Sequence, residues 1–146
     1  MVHSLRIALQ VESNSNFDNY ILSNDVVRGE PFSLHMHVEN IGDHPFPGGR
    51  LTNSRIDFSG DRGPVASIEH SFEVIEPGQS AAVEHTFTAL EAGNAWVYIK
   101  IDPQDEQSID YYTPEGNMPV DERARTGPFY VVNRELLLLI EALKTP

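Results

Sequence analysis

The stretch Gly29-Glu-Pro-Phe-Ser-Leu-His-Met-His-Val-Glu-Asn-Ile-Gly-Asp43 decides the fold. Apolar residues recur in it at every second position, with polar residues between them: Phe32, Leu34, Met36 and Val38. This alternation is typical of a strand that buries one face. Turn-forming residues stand at both ends of the stretch. The pattern predicts a central strand of an antiparallel sheet, with the four apolar side chains in the core.

The same alternation recurs along the chain and is interrupted by turn residues. It predicts half-buried strands at 5–11, 67–74, 81–89 and 96–101, with Val83 and Phe87 among the core residues of the third. Prolines and glycines at 44–49 indicate a connection outside any sheet. The segment 102–125 lacks periodicity, which predicts a long loop.

The order of these elements predicts an all-β fold. Short strands separated by turns, without helical crossovers, favour an immunoglobulin-like antiparallel β-sandwich of seven or eight strands, formed by residues 1–132. A short C-terminal helix follows within 133–146, where Asn133 can cap a helix that starts at Arg134 and ends at Lys144.

Composition excludes several functional classes. The chain has 146 residues and no cysteine, so it has no disulfide, thiol nucleophile or cysteine-ligated metal. Its formal charge of −12 disfavours nucleic acid as a partner. No apolar run predicts a membrane span or a signal peptide. We therefore expect a cytosolic protein or an excised piece of a larger one, and the compartment stays open.

Three motifs in order resemble the prokaryotic immunoglobulin-like domains of the CARDB type. They are the Gly29-Glu30 strand that ends in Asn40-Ile41-Gly42, the turn Ile75-Glu-Pro-Gly-Gln-Ser80, and the strand from Gly93 to Asp102. Together they cover roughly residues 25 to 103. The resemblance implies a fibronectin-like module, noncatalytic, without a cofactor, that is appended to larger surface or secreted proteins. The long segment 102–125 and the leucine-rich helix depart from that family's pattern.

Two histidines form the one metal-like pattern of the sequence. His35 and His37 share the outer face of the central strand, roughly 7 Å apart by the strand rise. The neighbouring strand at 81–89 is predicted to offer Glu84 or Thr86 beside them. The alternative is that Ser33, His35, His37 and Glu39 form a solvated face. His70 and His85 lie on apolar faces and are predicted to be rim or core residues.

Partner-binding candidates lie in the last third of the chain. Tyr111, Tyr112 and Met118 stand in the predicted loop, and they either contact another protein or fold back over the sandwich edge. The acids of this loop form either a solvated charge run or a calcium site. The run from Leu136 to Ile140, including Leu137 and Leu138, spans more than one helical turn, so one sandwich face cannot bury all of it. This predicts that part of the helix meets another chain, in a homodimer, or a following domain that is absent from this piece.

The sequence carries no motif of a known enzyme class. The prediction is a noncatalytic protein-interaction or adhesion-type module, with no cofactor, no nucleic acid and no membrane among its partners. The alternatives are a metal-binding protein that uses His35 and His37, and a proteinase-inhibitor-like domain.

Overall fold

The computed structural model describes residues 2–22, 24–59, 63–114, 116 and 124–144, apart from the side chains of 124–128 and 144. Twelve strands lie within this part of the chain: β1 Val2–Ser13, β2 Val26–Val27, β3 Pro31–Asn40, β4 Gly49–Leu51, β5 Arg55–Phe58, β6 Val65–Ser67, β7 Ser71–Phe72, β8 Ser80–Thr88, β9 Gly93–Ile99, β10 Ile101–Pro103, β11 Ser108–Tyr112 and β12 Ala124–Val132. A 3₁₀ turn at Asp18–Tyr20 and the helix α1, Arg134–Lys144, complete the described elements.

The strands form three sheets. The first has the order β11-β1-β3-β8, the second β2-β12-β9-β5-β6, and a small third sheet has the order β10-β4-β7. β3 is central in the first sheet, antiparallel to both β1 and β8. Two edge strands pair in parallel, β11 with β1 and β2 with β12. The predicted all-β sandwich is confirmed, but purely antiparallel pairing and a count of seven or eight strands are wrong.

The core lies between the two large sheets, and Phe32 is at its centre. Phe32, Leu34, Met36 and Val38 are all buried, as their alternation predicts. The ring of Phe32 contacts Phe58 and Phe129 of the opposite sheet, with ring centres 6.4 and 5.7 Å apart. The inward side chains of both sheets belong to one apolar cluster. Strand β3 thus organises the packing of the two layers.

The turn motifs have local physical causes. The side chain of Asn40 accepts a hydrogen bond from the Gly42 amide at 2.9 Å and donates to the His44 and Ile75 carbonyls at 2.9 and 2.8 Å. In the second turn, the Gln79 amide donates to the Glu76 carbonyl, while Gly78 has φ +81°. Only glycine adopts such a φ without strain. These contacts explain both sequence signatures.

Three predictions from local pattern are wrong. The segment 44–49 enters a sheet at Gly49, where β4 approaches β10 so closely that a Cβ would collide with the Asp102 carbonyl. The predicted strand at 67–74 divides between β6 and β7 in different sheets, and Val74 is exposed because burial shifts to Ile75. The segment 102–125 contains an ordered edge strand, β11, because it pairs with β1.

The edge position of β8 makes its core contribution smaller than predicted. Val83 and Phe87 are half-buried and pack against the core cluster instead of lying within it. Among the described residues no helix is long and apolar enough to cross a membrane.

Candidate partner-binding surface

The C-terminal helix begins where the sequence predicts. The Glu135 amide donates to the side-chain oxygen of Asn133 at 2.9 Å, which satisfies one of the free donors at the helix start. Glu135 also places an acidic group in the first turn, where the helix dipole favours it. The cap and the dipole therefore start α1 directly after β12.

Polar contacts hold α1 against the segment that precedes β3. Arg134 lies 3.7 Å from the Glu30 carboxylate, and Arg28 lies 3.9 Å from Glu135. The hydroxyl of Tyr20 donates to Glu141 at 2.6 Å, and this bond is the main cause that raises the pKa of Tyr20. Exposed contacts of this kind contribute little to the free energy of unfolding. They orient the helix more than they stabilise it.

One face of α1 is apolar and exposed. Leu136, Leu139 and Leu143 are 53%, 58% and 78% exposed, and their spacing of i, i+3 and i+7 puts them in one row. We call these three residues the leucine stripe. The helix buries its opposite side through Leu137, which is 2% exposed, while Leu138 is 43% exposed on a flank. Leu137 therefore anchors the helix, and Leu138 is accessible to a partner.

Sequence reasoning did not single out the leucine stripe, although the apolar run that it named contains two of the three residues, Leu136 and Leu139. Because residues 136–140 are all apolar, their pattern does not show which side of the helix faces the sandwich. The signal that could have found the stripe is the isolated Leu143, because it extends the row of Leu136 and Leu139 but lies away from Leu137. The exposed face follows from that helical spacing.

The structure separates the loop candidates. Tyr111 is 2% exposed, and its hydroxyl bonds both the amide and the carbonyl of Ile101, at 2.9 and 3.4 Å. Burial is the main cause that raises its pKa. Tyr111 therefore covers the sandwich edge in this structure and presents no surface to a partner. Tyr112 is half-buried, and Met118 lies outside the described residues.

The outer face of the first sheet carries the two predicted metal ligands. His35 lies between Gln10 and Glu84 in the register of the three strands, and His37 lies between Ala8 and Ala82. These residues line a shallow concavity of about 330 Å³. The predicted placement of β8 and Glu84 beside His35 is confirmed by this register.

The contacts of this face are those of a polar sheet surface. His35 Nε2 lies 3.1 Å from a carboxylate oxygen of Glu12, and Glu39 lies 3.7 Å from Arg6. No group of three or more His, Asp or Glu side chains suited to a metal lies within the described ranges. The metal site of His35 and His37 stays a prediction.

A second histidine pair lies where β8 meets the segment before β7. The rings of His70 and His85 are 5.5 Å apart and nearly perpendicular. His85 Nε2 is buried and has no hydrogen-bond partner within the described part of the chain. Burial, followed by the charge of His85, holds the pKa of His70 below its ordinary value of 6.5. The pair packs at the rim of the core, between Phe72 and Phe87.

The lowered pKa of His70 predicts a loss of stability in mild acid. As the pH falls through 6.5, the unfolded chain takes up a proton at His70 more readily than the folded chain. The free energy of unfolding therefore decreases as the pH falls below 6.5, and it levels off once the pH is below the folded-state pKa of His70. Urea denaturation of wild type and His70→Gln across this range measures the effect. We expect a smaller fall in the variant, and equal pH dependence of the two proteins would contradict this origin.

Comparisons with known proteins identify a fold. No protein-family model matches the chain, and no curated protein sequence matches it. A similar solved structure is the sporulation control protein Spo0M from Bacillus subtilis, with 15% identity and a TM-score of 0.50, over 96% of this chain and 54% of that one. This likeness concerns the β fold alone.

Two further structures are similar at lower TM-scores. The CARDB domain of a protein from Pyrococcus furiosus has 12% identity and a TM-score of 0.44, over 88% of this chain and 94% of that one. A β-glucosidase from Erythrobacter marinus has 16% identity and a TM-score of 0.46, over 89% of this chain and 16% of that one. The CARDB type, which the sequence motifs resemble, is thus among the solved structures that are similar to this chain.

Proposed function

We propose that this chain is a noncatalytic immunoglobulin-like module that binds protein through the leucine stripe of α1. The observation that carries the proposal is the exposure of Leu136, Leu139 and Leu143 in one row. Contiguous apolar surface of this kind, on a helix held by polar contacts, is characteristic of interaction sites. The CARDB-type resemblance supports a module without its own chemistry.

The occupant that we propose for the stripe is a second copy of the chain. Leucines spaced at i, i+3 and i+7 are self-complementary, because two such helices can interlock their side chains about a two-fold axis. The helix sequence begins with Arg134-Glu135 and ends with Lys144. An antiparallel pair therefore brings each Glu135 toward the C-terminal end of the partner helix, where the partner's Lys144 carries the opposite charge.

Introduction of charge into the stripe tests this proposal. We expect Leu136→Glu with Leu139→Glu to convert a dimer to a monomer in light scattering coupled to gel filtration, because two carboxylates cannot be buried in an apolar interface without a partner. Loss of a central apolar anchor costs at least about 2 kcal/mol, roughly a thirty-fold weaker dissociation constant. The thermal midpoint of the monomer should change little, since both leucines are exposed in the single chain.

Leu22→Glu is the matched control, because Leu22 is 78% exposed and lies outside the helix. It should leave the oligomeric state unchanged. A wild-type protein that is monomeric at micromolar concentration would overturn the homodimer.

A further inference from the structure

Two histidines from distant parts of the sequence lie side by side near the end of the first sheet. His3 is on β1 and is 2% exposed, and His44 follows β3 with its side chain 22% exposed. Pairing of β1 with β3 brings them together, since Leu5 lies opposite Asn40 and the Ile41 amide donates to the Ser4 carbonyl. The centres of the two rings are 5.0 Å apart.

Each of these rings is oriented by a carboxylate through one nitrogen. His3 Nε2 lies 2.8 Å from Asp105, and His44 Nδ1 lies 3.0 Å from Asp43. A carboxylate accepts hydrogen bonds, so the nitrogen that faces it carries the proton of the neutral ring. The lone pairs are then on Nδ1 of His3 and Nε2 of His44. A carboxylate behind each imidazole is the arrangement that orients metal-bound histidines and raises their basicity.

The free nitrogen of His44 lacks a partner. His44 Nε2 is buried and makes no hydrogen bond to the described residues. A buried polar atom without a hydrogen bond lowers the stability of the fold unless a ligand binds to it.

The separation of the rings suits a shared ion. Two imidazoles on one tetrahedral zinc, with Zn–N bonds of about 2.0–2.1 Å, have their ring centres about 5 Å apart. Neutral imidazole nitrogens favour Zn²⁺, Ni²⁺ and Cu²⁺ over Ca²⁺ or Mg²⁺, which prefer oxygen. The imidazole donors therefore favour a borderline transition metal, and the separation of the ring centres is compatible with one shared ion.

We propose that His3 Nδ1 and His44 Nε2 form a binding site for a divalent transition metal of the zinc class. Asp105 and Asp43 are the positioning residues of the two ligands, and water completes the coordination. This site differs from the one predicted at His35 and His37 on the outer face of the same sheet. There Glu12 pairs with His35, but no carboxylate of the described residues pairs with His37.

Calorimetric titration of the tag-free, chelator-treated full chain with Zn²⁺ tests the site. We expect one ion per chain, with binding at least ten-fold weaker in His44→Gln and about 10–100-fold weaker in Asp43→Asn. His37→Gln is the matched control and should bind as wild type does. Nitrogen NMR shifts of the His3 and His44 rings should also change on addition of Zn²⁺, which a purely structural role of the pair would not produce.

Three results would overturn the proposal. They are no saturable binding by the wild type, unchanged affinity in His44→Gln, and loss of binding in His37→Gln with His44→Gln unaffected. Because His44 is partly exposed, its variant is expected to fold, and circular dichroism of each variant verifies this. Buried His3 is tested second, by His3→Gln.

Discussion

Replacing Phe32 with alanine is expected to lower the free energy of unfolding by about 3–5 kcal/mol. Phe32 is fully buried, and its ring contacts Phe58, Phe87 and Phe129, with centres 6.4, 6.0 and 5.7 Å away. These partners come from both large sheets. Truncation therefore removes apolar contacts on several sides and leaves a cavity that rigid strands cannot fill by moving.

The expected loss is a large part of the stability of an ordinary domain, which is about 5–15 kcal/mol. Urea denaturation followed by fluorescence of the single tryptophan, Trp96, measures it. Val74→Ala is the control, because Val74 is 56% exposed and should cost less than about 0.5 kcal/mol. A loss below about 1 kcal/mol in Phe32→Ala would show that Phe32 is not the packing centre.

The second large effect is expected for Asn40→Ala, at about 2–4 kcal/mol. Asn40 is 1% exposed, and its amide group makes three hydrogen bonds, to Gly42, His44 and Ile75. Alanine leaves these backbone groups without that partner, and each buried group left unsatisfied costs about 1–3 kcal/mol. The loss also loosens the connection that carries His44. We therefore expect Zn²⁺ affinity to fall together with stability.

Asn94→Ala is the matched control for this prediction, because Asn94 is an exposed asparagine in β9. It should be nearly neutral in the same denaturation experiment. Asn40→Asp keeps the acceptor for the Gly42 amide but turns a carboxylate toward two carbonyls, so it should be at least as destabilising at neutral pH. A neutral effect of both Asn40 variants would contradict the bridging role.

The local sequence pattern predicted those elements that depend on residues close together in the sequence. The alternation of β3 and β9 identifies their core-facing side chains, since one residue in two must face the core of a sandwich. The predicted exposure of Ser33 on the other face of β3 is wrong, because Ser33 is 3% exposed and its hydroxyl accepts a hydrogen bond from Asn14. The Pro77-Gly78 turn and the Asn133 cap were predictable for the same reason. Their chemistry lies within four residues of sequence.

The candidate sites were less predictable, because exposure depends on what packs from elsewhere. Tyr111 and Leu137 are typical interface residues by type, yet both are buried by distant parts of the chain. Leu143, which no prediction named, is among the most exposed apolar residues of the described chain. Residue type identified the helix as a candidate interface, but only the packing showed which of its residues are buried and which are exposed.

By itself, the sequence determined the all-β class, the inward side chains of β3 and the two turn motifs, because these follow from period-two alternation and from the conformations that glycine and asparagine adopt. Tertiary structure decided the rest. The parallel pairing of β11 with β1 joins residues more than one hundred positions apart. That pairing also brings His3 to Asp105, while the pairing of β1 with β3 brings it to His44. No local pattern encodes such contacts, since they form only when separate strands satisfy their backbone hydrogen bonds in one sheet.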